Sequence, residues 1–264
     1  MSKISKLAVI EDGAVIGENV EIGAFCFISS RAIIGEGTTI AQNACIYGKT
    51  TIGKNNRIFS HAVIGSIPQD LKFNGEDVEL IIGDDNTIRE FTLFNPGTKG
   101  GGSKTIIGNH NLFMGYVHLG HDVIIGNHCI LANAATLAGH VELGDYVVIG
   151  GMTPIHQFIH IGDYAMVGGA SALAQDVPPF CMAEGNRAVL RGLNLTGLRR
   201  KLEREDINAL KSAYRSLFES GQPLKESAGR LLEETDNHYV NDLCDFVLKT
   251  KRGIAFERKI LDDK

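Results

Sequence analysis

Residues 4–34 read ISKLAV IEDGAV IGENVE IGAFCF ISSRAI I in groups of six, and every group begins with isoleucine. The same phase continues to Ile64, resumes at Ile82, slips by one residue, and then runs from Ile107 to Leu173. Every position in this register is apolar. A period of six fits neither a helix nor an uninterrupted strand. It predicts short strands separated by turns, with each phased residue and the residue two before it pointing inward.

Three such strands close a triangular coil of about eighteen residues, and stacked coils satisfy each other's backbone hydrogen bonds. The sequence therefore predicts a parallel β-solenoid that ends near Asp176. Residues 66–80 and 97–104 interrupt the repeat with Pro and Gly, and we expect both segments to form loops on the side of the solenoid, where binding residues often lie.

The composition changes after the repeat. Apolar residues at three- and four-residue spacing predict helices over 198–219, 224–234 and 239–250. We therefore predict a β-helix domain over residues 1–186 and a small α-helical C-terminal domain over residues 187–264.

Composition and charge exclude several classes of protein. The net charge of −5 argues against a general nucleic-acid binder. The five cysteines are scattered without CxxC or Cys/His metal-ligand spacing, which indicates a reducing compartment and predicts neither a metal site nor a cofactor. The N-terminus lacks the apolar stretch of a signal peptide, and no run of apolar residues is long enough to span a membrane. We expect a cytoplasmic location.

The repeat resembles the hexapeptide acyltransferases, which are left-handed parallel β-helices, and its motifs resemble the UDP-N-acetylglucosamine O-acyltransferase family of lipid A synthesis. The motifs that carry the resemblance are Ile67-Pro68-Gln69-Asp70-Leu71-Lys72, His118-Leu119-Gly120-His121-Asp122, Ile130-Leu131-Ala132-Asn133, Leu137-Ala138-Gly139-His140, Gly150-Gly151-Met152, His156-Gln157-Phe158 and Gln175-Asp176-Val177-Pro178-Pro179. The resemblance implies transfer of a hydroxyacyl chain from acyl carrier protein to position 3 of UDP-N-acetylglucosamine or its 3-amino analogue. It also implies a homotrimer with sites between subunits. The left hand is implied by the resemblance alone, because parallel crossovers in general favour the opposite hand.

A coil of eighteen residues stacks His121, Gly139 and Gln157 in one column, beside a column of Asp122, His140 and Phe158. Acyl transfer from a thioester to an alcohol needs a base for the hydroxyl proton and a donor for the oxyanion. We predict His121 as the base, Asp122 as the group that orients it, and the Gly139 N–H as the oxyanion donor. The resemblance assigns the base and the oxyanion donor to the same positions.

Other predicted site residues rest mainly on the resemblance. Gln69, Asp70 and Lys72 correspond to the sugar-binding loop, and Asn194 to a nucleotide contact. Arg200 and Lys201 would bind the diphosphate or the acidic carrier protein. Gly169 leaves room for the acyl tail, and Arg187 replaces a histidine that limits its length. His118, His140, His156 and Gln157 complete the set, although a wall residue is an equally good interpretation of His118 and a surface histidine a better one of His140 taken alone.

Three alternatives stay open at the level of sequence. One is a purely structural solenoid, which would need neither histidines flanked by loops nor a basic tail. The chain could be another hexapeptide acyltransferase, such as the N-acyltransferase of the lipid A pathway, against which the Gln69-Asp70 loop and Arg200 argue. A zinc enzyme resembling the γ-carbonic anhydrases shares the solenoid but needs three converging histidines.

Overall fold

The computed structural model describes residues 2–256. Three parallel sheets form the sides of a triangular prism, and each turn of the chain contributes one short strand to each side. Face A contains β1 (Lys3–Ile4), β4 (Glu21–Ile22), β7 (Thr39–Ile40), β10 (Arg57–Ile58), β13 (Thr87–Ile88), β16 (Leu112–Phe113), β19 (Ile130–Leu131), β22 (Val148–Ile149), β25 (Met166–Val167), β26 (Cys181–Glu184) and β27 (Val189–Leu193).

The other two sides have eight strands each. Face B contains β2 (Val9–Ile10), β5 (Phe27–Ile28), β8 (Cys45–Ile46), β11 (Val63–Ile64), β14 (Leu93–Phe94), β17 (His118–Leu119), β20 (Thr136–Leu137) and β23 (Pro154–Ile155). Face C contains β3 (Val15–Ile16), β6 (Ile33–Ile34), β9 (Lys49–Ile52), β12 (Glu79–Ile82), β15 (Lys104–Ile107), β18 (Ile124–Ile125), β21 (Glu142–Leu143) and β24 (His160–Ile161).

The predicted left-handed parallel β-helix with a small helical region after it is confirmed. Strand pairs such as His118 with Thr136 and Ile130 with Val148 are in register at a separation of eighteen residues. The phased residues fill the interior, and Ile28, Ile46 and Ile64 are fully buried. In the first coil Ile4 is 43% exposed, because no coil stacks beneath it.

The inward position two residues before each phased residue is also confirmed. Ala32, Ala44 and Ala62 are completely buried there, as are the predicted wall cysteines Cys26 and Cys129, which are at most 1% exposed. Small side chains are needed at these positions because the corners of the prism leave less room than its sides.

Residues at the three edges of the prism adopt left-handed backbone conformations. Each edge is named by the two faces that meet there, and the candidate site lies along one of them. The A–B edge carries Tyr116, Ala134, Met152 and Ala170, the B–C edge carries Asp122, His140 and Phe158, and the C–A edge carries His110, His128, Tyr146 and Tyr164, all with φ between 54° and 64°. This conformation costs about 1–2 kcal/mol for a residue with a side chain. Backbone hydrogen bonds between coils and ring stacking along the edge offset that cost, as between His128 and Tyr146, whose centroids are 4.7 Å apart.

The end of the solenoid is closed by a hairpin and four helices. β26 and β27 pair antiparallel at the end of face A. The helices are α1 (Leu195–Leu198), α2 (Arg204–Phe218), α3 (Leu224–Glu234) and α4 (His238–Lys249). The helix expected to begin at Leu198 begins instead at Arg204, because the preceding α1 is a separate turn capped by Asn194.

Candidate active site

Both interruptions of the repeat leave the prism at the B–C edge. The first connects β11 on face B to β12 on face C, and the second connects β14 to β15. The first loop is anchored at its start by Asn95, whose side-chain amide donates to the carbonyl oxygens of Ser66 and Ile67 at 3.0 and 3.1 Å. The two loops and the edge enclose a cleft of about 330 Å³ that is lined in part by Asp70, Lys72, His140 and Phe158. Both insertions are therefore loops on the side of the solenoid, as predicted, and they border the edge that carries His140.

His121 and Asp122 are hydrogen-bonded at the start of this edge. The imidazole Nδ1 lies 2.8 Å from Oδ2 of Asp122, whose side chain is 1% exposed. A carboxylate can only accept, so His121 donates from Nδ1 and carries its lone pair on Nε2. The His121 side chain is 19% exposed, so Nε2 is within reach of a substrate. This is the arrangement that a general base requires.

Gly139 lies one coil above His121 and directly against its ring. A Cβ built on Gly139 would lie 2.6 Å from Cε1 and 2.7 Å from Nε2 of His121. Only glycine leaves room for the imidazole at this position. The predicted column of His121 and Gly139 is present in the structure, and it brings the main chain of Gly139 next to the imidazole.

His140 completes the patch. Its ring stacks on Phe158 at 4.4 Å between centroids and meets the ring of His121 edge-on at 4.9 Å. Burial lowers the pKa of the His140 imidazole, although the negative charge of Asp122 opposes the change. His140 is therefore neutral at pH 7 and able to donate a hydrogen bond without carrying charge.

His118 points outward from face B on the same coil. Its Nδ1 donates to the carbonyl oxygen of Leu93 at 3.1 Å, which leaves Nε2 directed away from the sheet. Burial lowers the pKa of the His118 imidazole. The His118 side chain is therefore fixed and uncharged. This fits both interpretations of His118, as a site residue and as a packing residue of the solenoid wall.

By residue type His121, Asp122 and His140 could hold a transition-metal ion, since their ligand atoms lie within 4.8 Å of one another. The carboxylate oxygens are already engaged, however. Oδ2 of Asp122 accepts from Thr98 Oγ1 at 2.6 Å as well as from His121. A metal bound to that oxygen would have to displace a donor.

A second group of predicted residues lies at an apolar groove beside β23, the last strand of face B. The groove has a volume of about 620 Å³, and His156, Leu173 and Arg187 lie along it. His156 Nδ1 is 3.2 Å from a guanidinium nitrogen of Arg252. Gln157 is exposed on the adjoining edge. An apolar groove of this size has the shape and polarity expected for an acyl chain.

The remaining predicted residues lie on other edges of the prism. Asn194 accepts from the Gly197 N–H and donates to the Tyr164 carbonyl oxygen at 2.9 Å, so its amide holds α1 against the C–A edge. Lys201 places its ammonium 4.9 Å from the centre of the Tyr146 ring on that edge.

Arg200, next to Lys201 in the chain, is exposed. Gly169 is exposed beside Ala170 on the A–B edge. The fold of one chain therefore does not bring these residues to His121.

Sequence reasoning missed three residues around Asp122 and one beside His156. Thr98, Gly101 and Thr105 contact Asp122, and Arg252 contacts His156. The signal available for the first three was the Gly-rich loop itself, because consecutive glycines indicate close approach of the backbone to another group. Arg252 lies ninety-six residues from its partner and outside any repeat, so the sequence held no signal for it.

Comparison with known proteins places this constellation in a family. A model described as bacterial transferase hexapeptide (six repeats) matches residues 104–139, and a model described as UDP-N-acetylglucosamine O-acyltransferase, domain 2, matches residues 176–255. The chain is 83% identical to the acyl-acyl-carrier-protein–UDP-N-acetylglucosamine O-acyltransferase of Sulfurimonas denitrificans, over 99% of this chain and all of that one. The chain belongs to the UDP-N-acetylglucosamine O-acyltransferase family. A Sulfurovum enzyme of the same name is 68% identical over 98% of this chain and all of that one.

Solved structures of UDP-N-acetylglucosamine acyltransferases share the whole architecture. The enzyme from Campylobacter jejuni superposes with a TM-score of 0.94 at 48% identity, over 97% of this chain and 100% of that one. The likeness therefore extends over the prism, the two loops and the helices alike.

Proposed function

We propose that this chain transfers a (R)-3-hydroxyacyl group from acyl carrier protein to position 3 of UDP-N-acetylglucosamine, the first step of lipid A biosynthesis. The observation that carries the proposal is the hydrogen-bonded His121–Asp122 pair with Gly139 against the imidazole, in a chain 83% identical to an acyltransferase named for this reaction. These three residues would carry the chemistry.

The reaction needs one proton to move and one bond to be exchanged. His121 Nε2 accepts the proton of the sugar 3-hydroxyl while its oxygen attacks the thioester carbonyl. The Gly139 N–H donates to the oxyanion that develops on the carbonyl oxygen. The C–S bond then breaks, the new ester C–O bond remains, and the proton passes from His121 to the departing thiolate. Asp122 stabilises the imidazolium in between.

The cleft at the B–C edge would hold the sugar. Asp70 and Lys72 supply an acceptor and a donor at its mouth, while His140 and Phe158 form a neutral floor. Stacked rings with a few polar groups at the rim suit a sugar, which has an apolar face and a hydroxyl edge. Gln69 and His118 would complete the polar contacts.

The nucleotide and the acyl tail would be held with the help of a second subunit. Asn194, Arg200 and Lys201 lie at the C–A edge and Gly169 at the A–B edge, whereas the base lies at the B–C edge. A site that uses all of these residues requires two prisms side by side, so that the B–C edge of one subunit faces the other edges of its neighbour. We therefore propose a homotrimer with each active site between two subunits, as the resemblance implied. His156, Gln157 and Arg187 would flank the acyl groove.

Two further assignments accompany the proposal. We propose a cytoplasmic location, where acyl carrier protein and sugar nucleotide would both be available. Within the described residues, 2–256, no helix combines the length and the apolar character needed to cross a membrane. We also propose the division into residues 1–186 and 187–264, with the turn of the β26–β27 hairpin at the boundary.

The test is an assay of purified protein with hydroxyacyl carriers of several chain lengths and both UDP-N-acetylglucosamine and its 3-amino analogue. We expect a 3-O-ester product, a single preferred chain length, and a loss of kcat of about a hundredfold to ten-thousandfold for His121→Ala. Sugar-nucleotide binding by that variant should survive, because its role arises in the transition state. A folded His121→Ala protein with near wild-type turnover would remove His121 as the base. Absence of transfer with every carrier would refute the proposed reaction.

A further inference from the structure

The carboxylate of Asp122 is held on both oxygens by one residue of the second loop. The Thr98 N–H donates to Oδ1 at 2.8 Å, and the Thr98 hydroxyl donates to Oδ2 at 2.6 Å. Thr98 is twenty-four positions away along the chain and is 8% exposed. The two bonds fix the plane of the carboxylate, which a single donor would leave free to rotate about its side-chain torsions.

The rest of the loop closes around the same group. A Cβ on Gly101 would overlap the Asp122 carboxylate, although its backbone conformation does not require glycine. The Thr105 hydroxyl accepts the main-chain N–H of Asp122 at 2.9 Å, which holds that residue in its left-handed conformation at φ 59°. Backbone, hydroxyls and a missing side chain therefore form a cradle for one buried carboxylate.

The cradle determines the direction in which Asp122 meets His121. Oδ2 accepts from both the Thr98 hydroxyl and His121 Nδ1, so the position of the first donor constrains the second. Hydrogen bonds to a charged group are stronger than those between neutral groups, and a buried carboxylate without them would turn toward water or another donor. His140 Nε2, 3.9 Å from Oδ2, is such a competing donor.

We propose that Thr98 is a positioning residue for the acyl transfer: its N–H and hydroxyl hold the Asp122 carboxylate in the orientation that fixes the tautomer and direction of the His121 base. The inference rests on the proposed function, in which His121 is that base. Thr98 acts through Asp122, so its contribution should disappear when Asp122 has no carboxylate.

The kinetic test compares Thr98→Val, which keeps the shape and loses the hydroxyl, with Thr98→Ser, which keeps the hydroxyl. We expect Thr98→Val to lower kcat about tenfold with KM for both substrates within about twofold, and Thr98→Ser to retain at least half of kcat. In an Asp122→Ala background, Thr98→Val should change kcat less than twofold, because coupled residues are non-additive.

The matched control is Thr38→Val. Thr38 is also buried, and its hydroxyl donates to the Gly53 carbonyl oxygen at 2.9 Å and accepts the Asn56 N–H at 3.1 Å, away from the site. The Thr38→Val protein should be less stable than the wild type and should keep its kcat. An equal loss from Thr98→Val in both backgrounds, or a rise in KM at constant kcat, would overturn the proposal.

A second measurement needs no substrate. The Thr98 amide donates to Asp122 Oδ1, so hydrogen exchange of the peptide that carries it, followed by mass spectrometry, should quicken at least tenfold in Asp122→Ala. Unchanged exchange would overturn the inference. If the wild-type protein transferred no acyl group but exchange quickened, the proposed function would fail while the cradle stood.

Discussion

The replacement Gly139→Ala probes the contact that packs the proposed base against the coil above. The new methyl carbon would lie 2.6 Å from Cε1 and 2.7 Å from Nε2 of His121, whereas ordinary contacts begin near 3.4 Å. The backbone on both sides is held by hydrogen bonds between coils, such as that from the His140 N–H to the His121 carbonyl oxygen at 2.9 Å. The imidazole must therefore move, and by about 0.7–0.8 Å.

That displacement sets the expected size of the effect. A misplacement of about 1 Å at a reacting group can cost on the order of a hundredfold in rate. The movement also changes the 2.8 Å bond from His121 to Asp122, and the methyl group covers the face of Nε2. We expect kcat to fall about thirtyfold to a hundredfold, with KM for the sugar nucleotide nearly unchanged because the Asp70 side of the cleft is untouched.

The assay is steady-state turnover at saturating substrates, with thermal unfolding as a check on folding. Gly229→Ala is the matched control, because its new Cβ on α3 would meet nothing within 4 Å, and turnover should be unchanged. In a His121→Ala background, Gly139→Ala should lower kcat by less than a further twofold. A folded Gly139→Ala protein that keeps more than half of wild-type turnover would refute the steric reasoning. If Gly139→Ala lowered kcat by its full factor in the His121→Ala background as well, the replacement would act elsewhere than on His121.

Three further predictions concern the proposed position of the acyl tail, the core and the solenoid wall. Gly169→Met should shift preference toward shorter acyl chains and preserve activity on them, because Gly169 is exposed and a Cβ there makes only ordinary contacts, from 3.4 Å to the Gly151 oxygen. Uniform loss on all chain lengths would indicate misfolding instead. Thr92→Val should raise the free energy of unfolding by about 1 kcal/mol in a denaturant titration, since the hydroxyl of Thr92 is buried and finds no hydrogen-bond partner among residues 2–256. A lower free energy of unfolding would mean that the hydroxyl is hydrogen-bonded after all. The hydrogen bond from His160 to Glu142 at 2.8 Å raises the pKa of the His160 imidazole, so its stabilising contribution is complete below about pH 6.5 and declines as pH rises through the raised value. His160→Gln should therefore remove this decline from the free energy of unfolding measured between pH 6 and 8, and an unchanged pH dependence would contradict the prediction.

The solenoid was predictable because its information is local and repeated. Ile28, Ile46 and Ile64 each occupy the same place in a coil, so one rule of period six assigns their burial and the stacking of residues eighteen apart. The adjacency of His121 and Gly139 followed from the same arithmetic, and the structure shows it. The left hand came from the resemblance alone, since the periodicity is the same for either hand.

The contacts that complete the site come from the tertiary structure. The loop that carries Thr98 has no period, so nothing in the spacing of residues 97–104 indicates that it folds back on Asp122. The same holds for Arg252 beside His156, which depends on how the C-terminal segment returns to the solenoid. A repeat encodes which residues share an edge, because each coil copies the one before it. The groups brought to that edge by loops and helices depend on packing between segments far apart in the chain, and that packing has no counterpart in a six-residue pattern.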